Sequence, residues 1–140
     1  MGKINMGRVI LGGLLAGLII NIGEFILNMP ILGKDWEAAM QALNRPMMGG
    51  SAIASFVVLG FVLGIVAIFT YAAIRPRFGP GPKTAICAGV LVWFFSYFYP
   101  SIGFSVMGLF PNKLIAISVV WGIFEASIAC VAGAWLYKEA

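Results

Sequence analysis

Apolar residues run along this chain in four long blocks parted by short polar interruptions, at about residues 9–30, 51–74, 84–104 and 114–137. Each block reaches the roughly 20 residues that an α-helix needs to cross the hydrocarbon of a bilayer. The pattern predicts an all-α fold, a four-helix transmembrane bundle made of two antiparallel helical hairpins. Residues 1–140 leave room for a single integral membrane domain.

The interruptions differ in kind. The first, "GKDWEAAMQALNRPMMGG", has helical periodicity of its own, with Trp36, Met40, Leu43 and Met47 on one side and Glu37 and Gln41 opposite. It predicts a short interfacial helix at about 35–44, capped by Asp35. Such a helix lies either flat on the membrane with Trp36 at headgroup level, or packed on the bundle's own loops. The second interruption, "RPRFGPGPK", is a turn whose prolines lack the backbone donors a phosphate cradle needs. The third, "FPNK", is short enough to make the last two spans a hairpin. "AGLII" at 16–20 returns as "AGVLV" at 88–92, and "VVLGFV" at 57–62 as "VVWGIF" at 119–124, a faint repeat of two like-oriented hairpins.

Within the spans, small and polar residues fall on stripes. Gly13, Gly17, Asn21, Glu24 and Asn28 follow one another at helical spacing in the first span, and Ser118, Gly122, Glu125, Ala129 and Gly133 do so in the fourth. The second span offers Gly60, Gly64, Ala67 and Tyr71, and the third Ala85, Gly89, Ser96 and Gly103. Lipid supplies no hydrophobic force between helices, so faces of small residues mark where backbones approach. Gly13, Gly17, Gly60, Gly64, Gly89, Gly122 and Gly133 are therefore the expected packing positions, and Glu24 and Glu125 should point into protein. A charged residue at the bilayer centre costs about 2.5–3.5 kcal/mol, against about 3–6 kcal/mol returned by the apolar residues of a span, so both helices still insert.

Depth along the helices suggests how these groups relate. Taking about 1.5 Å per residue from the loop-side end of each span, Glu24 lies roughly 9 Å deep, Asn21 roughly 13 Å and Glu125 roughly 17 Å. The expectation is that the two carboxyls do not share a proton directly and that Asn21 reaches Glu125. Ser51, Ser55, Ser96, Tyr97, Tyr99 and Ser101 share that half of the bundle. A polar pocket built from Asn21, Glu24, Ser96, Tyr97 and Glu125, open toward the loop side, is the candidate site. The same residues also suit plain interhelical hydrogen bonding with no ligand. The run "VWFFSYFYP" puts aromatics on every side of the third span, as a stacking surface for a quinone, pigment or other lipid, or more ordinarily for packing and anchoring.

Composition agrees with the pattern, at 61% hydrophobic and only 10% charged residues with a mean hydropathy of +1.01. Lys3, Arg8, Arg75, Arg77, Lys83 and Lys138 fall on the side of the termini, and Lys34, Arg45 and Lys113 on the other, which predicts cytoplasmic N- and C-termini. The net charge of +4 then reflects topology, and the basic residues form no stripe for nucleic acid. The first span is too long for a signal peptide and carries Glu24, so it reads as a retained helix. Histidine is absent and Asp35 is the sole aspartate, which removes Ser–His dyads, zinc-protease motifs and paired-aspartate proteases. No enzyme and no metal site is expected, and nothing names a cofactor. Cys87 and Cys130 lack metal or redox spacing and read as packing residues.

"PILGKDW" after the first span and "AGVLVWFFSYFYP" in the third resemble an uncharacterised bacterial family of four-helix membrane proteins, a domain of unknown function. Pro30, Gly33 and Trp36 are the best matches, and Glu24 and Asn28 stand where that family has a Trp-Tyr pair. The resemblance implies the fold and no function, and it is consistent with a bacterial inner membrane. The short loops, the lack of cofactor ligands and the abundance of close-packing faces favour a non-catalytic accessory or assembly subunit of a larger membrane complex; the alternative is a small proton-linked transporter or carrier working as a homo-oligomer through Glu125 and Glu24. The partners expected are the lipid bilayer and either other membrane subunits or further copies of the chain.

Overall fold

The computed structural model describes residues 2–140. The chain folds as α1 (Met6–Ile26), α2 (Gly33–Ala42), α3 (Gly50–Phe78), α4 (Pro82–Trp93), α5 (Tyr99–Val106) and α6 (Asn112–Leu136). A π-helical turn, Leu27–Ile31, carries α1 toward α2, and a second, Phe94–Phe98, joins α4 to α5 in one continuous rod. Four rods are thus long and apolar enough to cross a membrane: Met6–Ile31, Gly50–Phe78, Pro82–Val106 and Asn112–Leu136. The all-α four-helix bundle is as the pattern predicts, and the chain is an integral membrane protein.

Each span starts or ends a few residues from where hydropathy alone places it. The second runs on through Pro76 to Phe78, and is closed by Gly79 and Gly81 at φ 85° and 124°, values open to glycine at no steric cost. The loop helix begins at Gly33 instead of Asp35. Leu32 N donates to Leu27 O at 2.8 Å and Trp36 N to Leu32 O at 2.9 Å, so the π turn feeds α2 directly and Asp35 lies in its first turn. α2 ends at Ala42 because Asn44 turns left-handed at φ 54°, which leaves Leu43 and Met47 exposed. Its buried face is Leu32, Trp36 and Ala39, packed with Leu27, Leu114 and Phe110. Of the two arrangements open to it, α2 takes the one packed on the bundle.

Small residues set the distances between the spans. Gly13 and Gly17 of α1 lie against Ile65 and Phe61 of α3, and a methyl on Gly64 would strike the backbone of Gly13 and Gly17. Two Gly-x-x-x-Gly pairs, 13/17 and 60/64, are thereby set into one another. α1 meets α6 by a second close crossing, where a side chain at Gly12 would collide with the Gly133 carbonyl and one at Gly133 with that of Gly12. α4 meets α6 at Gly89, where a Cβ would lie 2.8 Å from the Ser127 Cα. All seven glycines of the packing stripes face another part of the chain.

The half of the bundle nearer the termini is a dry core of Val9, Ala16, Ile20, Ile68, Ala88, Val92 and Ala129 among others. Cys130 belongs to it, its thiol lying 3.7 Å from the Ala67 carbonyl. Tyr137, Arg75 and Glu139 close that end, with Arg75 Nη1 3.2 Å from the Glu139 carboxylate. The loop-side half is looser: α5 leans on α6, while Phe56, Val58, Leu59 and Phe104 are exposed.

The glycine contacts predict a sharp contrast. Gly64→Val must push α1 and α3 apart, because the obstructing atoms are backbone, and should lower stability by about 1–3 kcal/mol. Gly103→Ala, which has nothing within 4 Å of its Cβ, should leave stability unchanged. Denaturant unfolding in detergent micelles checks both.

Candidate functional site

α6 carries Glu125 into the middle of the bundle, where it is 6% exposed. Its two oxygens are answered by different donors. Tyr97 Oη donates to Oε2 at 2.8 Å, and Trp121 Nε1, one turn earlier on α6, donates to Oε1 at 3.3 Å. The carboxyl of Glu24 on α1 is its third neighbour, brought within hydrogen-bonding reach of Glu125. Two carboxyl groups can hydrogen-bond to each other only with a proton between them.

From Glu24 the network continues toward the loops. Asn28 Nδ2 donates to Glu24 Oε2 at 2.7 Å and to the Glu24 carbonyl at 2.8 Å. Asn28 Oδ1 in turn accepts from Trp36 Nε1 at 2.8 Å. One run of polar groups therefore joins the loop helix α2 to mid-bundle: Trp36, Asn28, Glu24, Glu125, Tyr97. Trp36 is half-buried and stacks edge-on to Phe110 at 5.4 Å. It acts as a bundle contact and a polar partner rather than as a free headgroup anchor, because the indole N–H finds an acceptor inside the protein.

The carboxyls meet despite their different depths, and the reason is geometric. Gly12 lies opposite Gly133, so twelve residues along α1 and twelve back along α6 set Glu24 level with Trp121. Glu125 is four residues, about 6 Å, below that level. In a helix the Cα–Cβ bond leans toward the N-terminus. α1 and α6 run antiparallel, so Glu24 leans toward the termini and Glu125 toward the loops, and two long side chains close the gap. The expectation of separate carboxyls, drawn from backbone depth alone, is corrected by side-chain direction.

Two glycines clear the space. The position a Cβ would take on Gly23 is filled by Glu125 Oε1, and a Cβ on Gly122 would lie 2.6 Å from the Tyr97 ring. The motif "NIGEF" thus supplies a seat at Gly23 and a partner at Glu24 for one carboxyl on the opposite helix.

Both π turns bear network residues, Asn28 in the first and Tyr97 in the second. Each is tied to a proline, Pro30 within the first and Pro100 just beyond the second, whose missing N–H breaks the ordinary i→i−4 ladder. The ladder recovers with wider bonds, Leu32 N to Leu27 O and Tyr99 N to Phe94 O. An extra residue in a turn rotates everything after it by about 100°. Leu27 and Leu32, five apart, consequently share a buried face. On the third span the same shift turns Tyr97 inward and Ser96 outward.

The structure therefore redistributes the predicted pocket. Glu24, Tyr97 and Glu125 come together. Ser96 is exposed on the far side of its π turn, and Gly103 beyond it faces open space. Asn21 turns to α3, where its Nδ2 donates to the Val57 carbonyl at 3.1 Å and its side chain fills the notch over Gly60. Asn21 thus faces α3, while the longer Glu24 side chain, one turn on, reaches across to α6. Gly23 and Trp121 are further members of the site. Trp121 stands one turn from Glu125 and Asn28 one turn from Glu24, a spacing that marks same-face partners; no sequence pattern singles out Gly23.

The site is a packed cluster, and two cavities of the bundle lie elsewhere. One, of about 320 Å³, sits between α5 and α6 and is lined by Phe98, Ser101, Ile102, Ser105 and Val119 among others. Of the aromatic run only Phe98 reaches it. Phe95 and Tyr99 are each 67% exposed to the surroundings of the bundle, and Trp93 Nε1 ties its helix to the Val119 carbonyl at 2.8 Å. The other cavity lies near the termini. Comparison with family models, curated proteins and solved structures finds no match to this chain.

The Tyr97 hydroxyl is predicted to act through Glu125. Tyr97→Phe should cost about 0.6–1.7 kcal/mol, the range of interhelical hydrogen bonds in membranes, in the otherwise intact protein and close to nothing in a Glu125→Met background. Equal costs in the two backgrounds, read by unfolding in micelles, would show that the two side chains are not coupled.

Proposed function

We propose that this chain is a small proton-linked membrane carrier whose working centre is the Glu24–Glu125 pair. The observation that carries the reading is the approach itself: two carboxyls at bilayer depth set against each other, with no ion pair to lysine or arginine among the described residues. An intramembrane ionisable residue is costly, and one kept inside the protein suggests use as a relay or binding group. Plain packing glue would be served as well by Asn or Gln, which carry no proton to exchange.

The surroundings give the pair a direction. On the terminal side lies the apolar core around Ile20, Ile68, Ala88 and Ala129. On the loop side lie Asn28, Trp36 and the loosely packed halves of α3 and α5. Asn and Trp do not pass protons, so Asn28 and Trp36 position Glu24, and protons reach the pair by water entering between the loosened helices. The arrangement corresponds to a state accessible from the loop side and sealed on the other. By the excess of Lys and Arg at the terminal end, the termini face the cytoplasm, in keeping with a bacterial inner membrane.

A second reading, an accessory or assembly subunit of a larger membrane complex, is favoured by one separate feature. Gly50 at the start of α3 has nothing within 4 Å of where a Cβ would be, and Ser51 and Ser55 on the same helix are exposed. Small residues on an uncovered face suit a neighbouring helix.

Proteoliposomes containing a trapped pH dye separate the two. Under the carrier reading the protein speeds collapse of an imposed pH gradient, and Glu125→Gln slows that collapse at least tenfold while leaving the protein folded. No protein-dependent flux, together with comigration of the native chain with a large partner on a native gel, would favour the subunit instead.

A further inference from the structure

The second cavity lies at the terminal end, far from the carboxyl pair. It is a groove of about 460 Å³ between the α3–α4 turn and α6, lined by Tyr71, Gly81, Pro82, Ala85, Val131, Ala132, Ala134 and Trp135. That volume is within the range of about 300–1,000 Å³ typical of small-molecule sites. Its walls are almost wholly hydrocarbon, apart from the Tyr71 hydroxyl, which accepts from Gly81 N at 3.2 Å. Nothing in such a lining recognises a polar solute, but an acyl chain would fit it.

The rim has the opposite character. Lys83 follows the groove-lining Pro82, and Lys138 comes three residues after Trp135; both are exposed. Arg75, one helical turn past Tyr71, has its Nη1 3.2 Å from the Glu139 carboxylate and its Nε buried without a hydrogen-bond partner. Trp135 lines the groove and yet is 81% exposed, as is common for an indole at headgroup level. Six of the nine basic residues of the chain stand at this end, against a single acidic one, Glu139.

We infer that this groove binds one anionic phospholipid, with an acyl chain against Ala132 and Val131 and the phosphate between Lys83, Lys138 and the Arg75 side. A zwitterionic lipid offers the same chain without net charge to meet the rim. The excess of basic residues places this end on the leaflet where anionic lipids carry the surface potential, which supplies the ligand at high local concentration. The site is independent of the proton-linked reading, since no residue is shared between the groove and the carboxyl network.

The test is native mass spectrometry of the full-length protein in mild detergent, titrated with phosphatidylglycerol and, separately, with phosphatidylcholine of the same chains. One tightly held phosphatidylglycerol is expected, bound at least tenfold better than phosphatidylcholine. Removing one basic residue near a membrane surface costs about fivefold in affinity for an anionic lipid, so Lys83→Gln with Lys138→Gln should lose roughly 25-fold. Ala132→Leu fills the groove with every charge left in place, and should also lower phosphatidylglycerol binding severalfold. Lys34→Gln with Lys113→Gln removes equal charge from the opposite end and should leave the tight lipid bound. Equal binding of the two lipids overturns the inference. So does a loss in the Lys34/Lys113 variant as large as in the Lys83/Lys138 variant, which would reduce the effect to unspecific attraction. An unchanged affinity in Ala132→Leu would overturn the groove as the seat of the chain.

Discussion

A carboxyl group at bilayer depth has only protein to answer it. Acyl chains offer nothing, and each unpaired polar atom there costs several kcal/mol. Glu125 meets that constraint with three partners from three different spans: Trp121 on its own helix, Tyr97 on the third rod and Glu24 on the first. Most of what is unusual in the loop-side half of the structure follows from seating this one group. Gly23 and Gly122 vacate the space, the second π turn brings the phenol round, and the first sets Asn28 to hold Glu24 and receive Trp36.

Such a seat is only as good as the alignment of the helices that form it, and that alignment is fixed by glycine. Gly13 and Gly17 interlock with Gly60 and Gly64, and Gly12 crosses Gly133 backbone to backbone. Close crossings of this kind gain dispersion contacts and leave little freedom to slide. They run from the terminal half, where the core is apolar and tightly packed, to the middle of the bundle. The bundle is thus anchored at one end and permissive at the other, and the carboxyl pair sits at the boundary.

Much of this was legible from residue spacing. The glycine stripes predict the packing faces because α-helical periodicity holds without interruption from Met6 to Ile26 and along α3 and α6. Glu125 reads as buried for the same reason. Where periodicity breaks, the reading breaks with it. A π turn costs one residue of register, so Ser96 and Gly103, in phase with Gly89 on paper, end on the outer face while Tyr97 takes the inward place. Proline at 30 and 100 hinted at a distortion, yet a kink, a helix end and a π turn are all open to it. Asn21 was misplaced by a stripe that borders two neighbouring helices, and the carboxyl contact was hidden because depth was counted on the backbone while the meeting is made by side chains leaning in opposite senses. Gly23 carried no signal, since a glycine among eighteen is unremarkable until the atom opposite it is known.

The account rests on Glu24 and Glu125 sharing one hydrogen bond, and infrared spectroscopy of the carboxyl carbonyl stretch reads that directly. In membranes of the intact protein the two groups should behave as a single unit as pH is varied. Substituting either one, Glu24→Gln or Glu125→Gln, should then shift the frequency and the titration of the other's carbonyl band. If each substitution removes its own band and leaves the other at an unchanged frequency and midpoint, the carboxyls do not touch, and the account is contradicted.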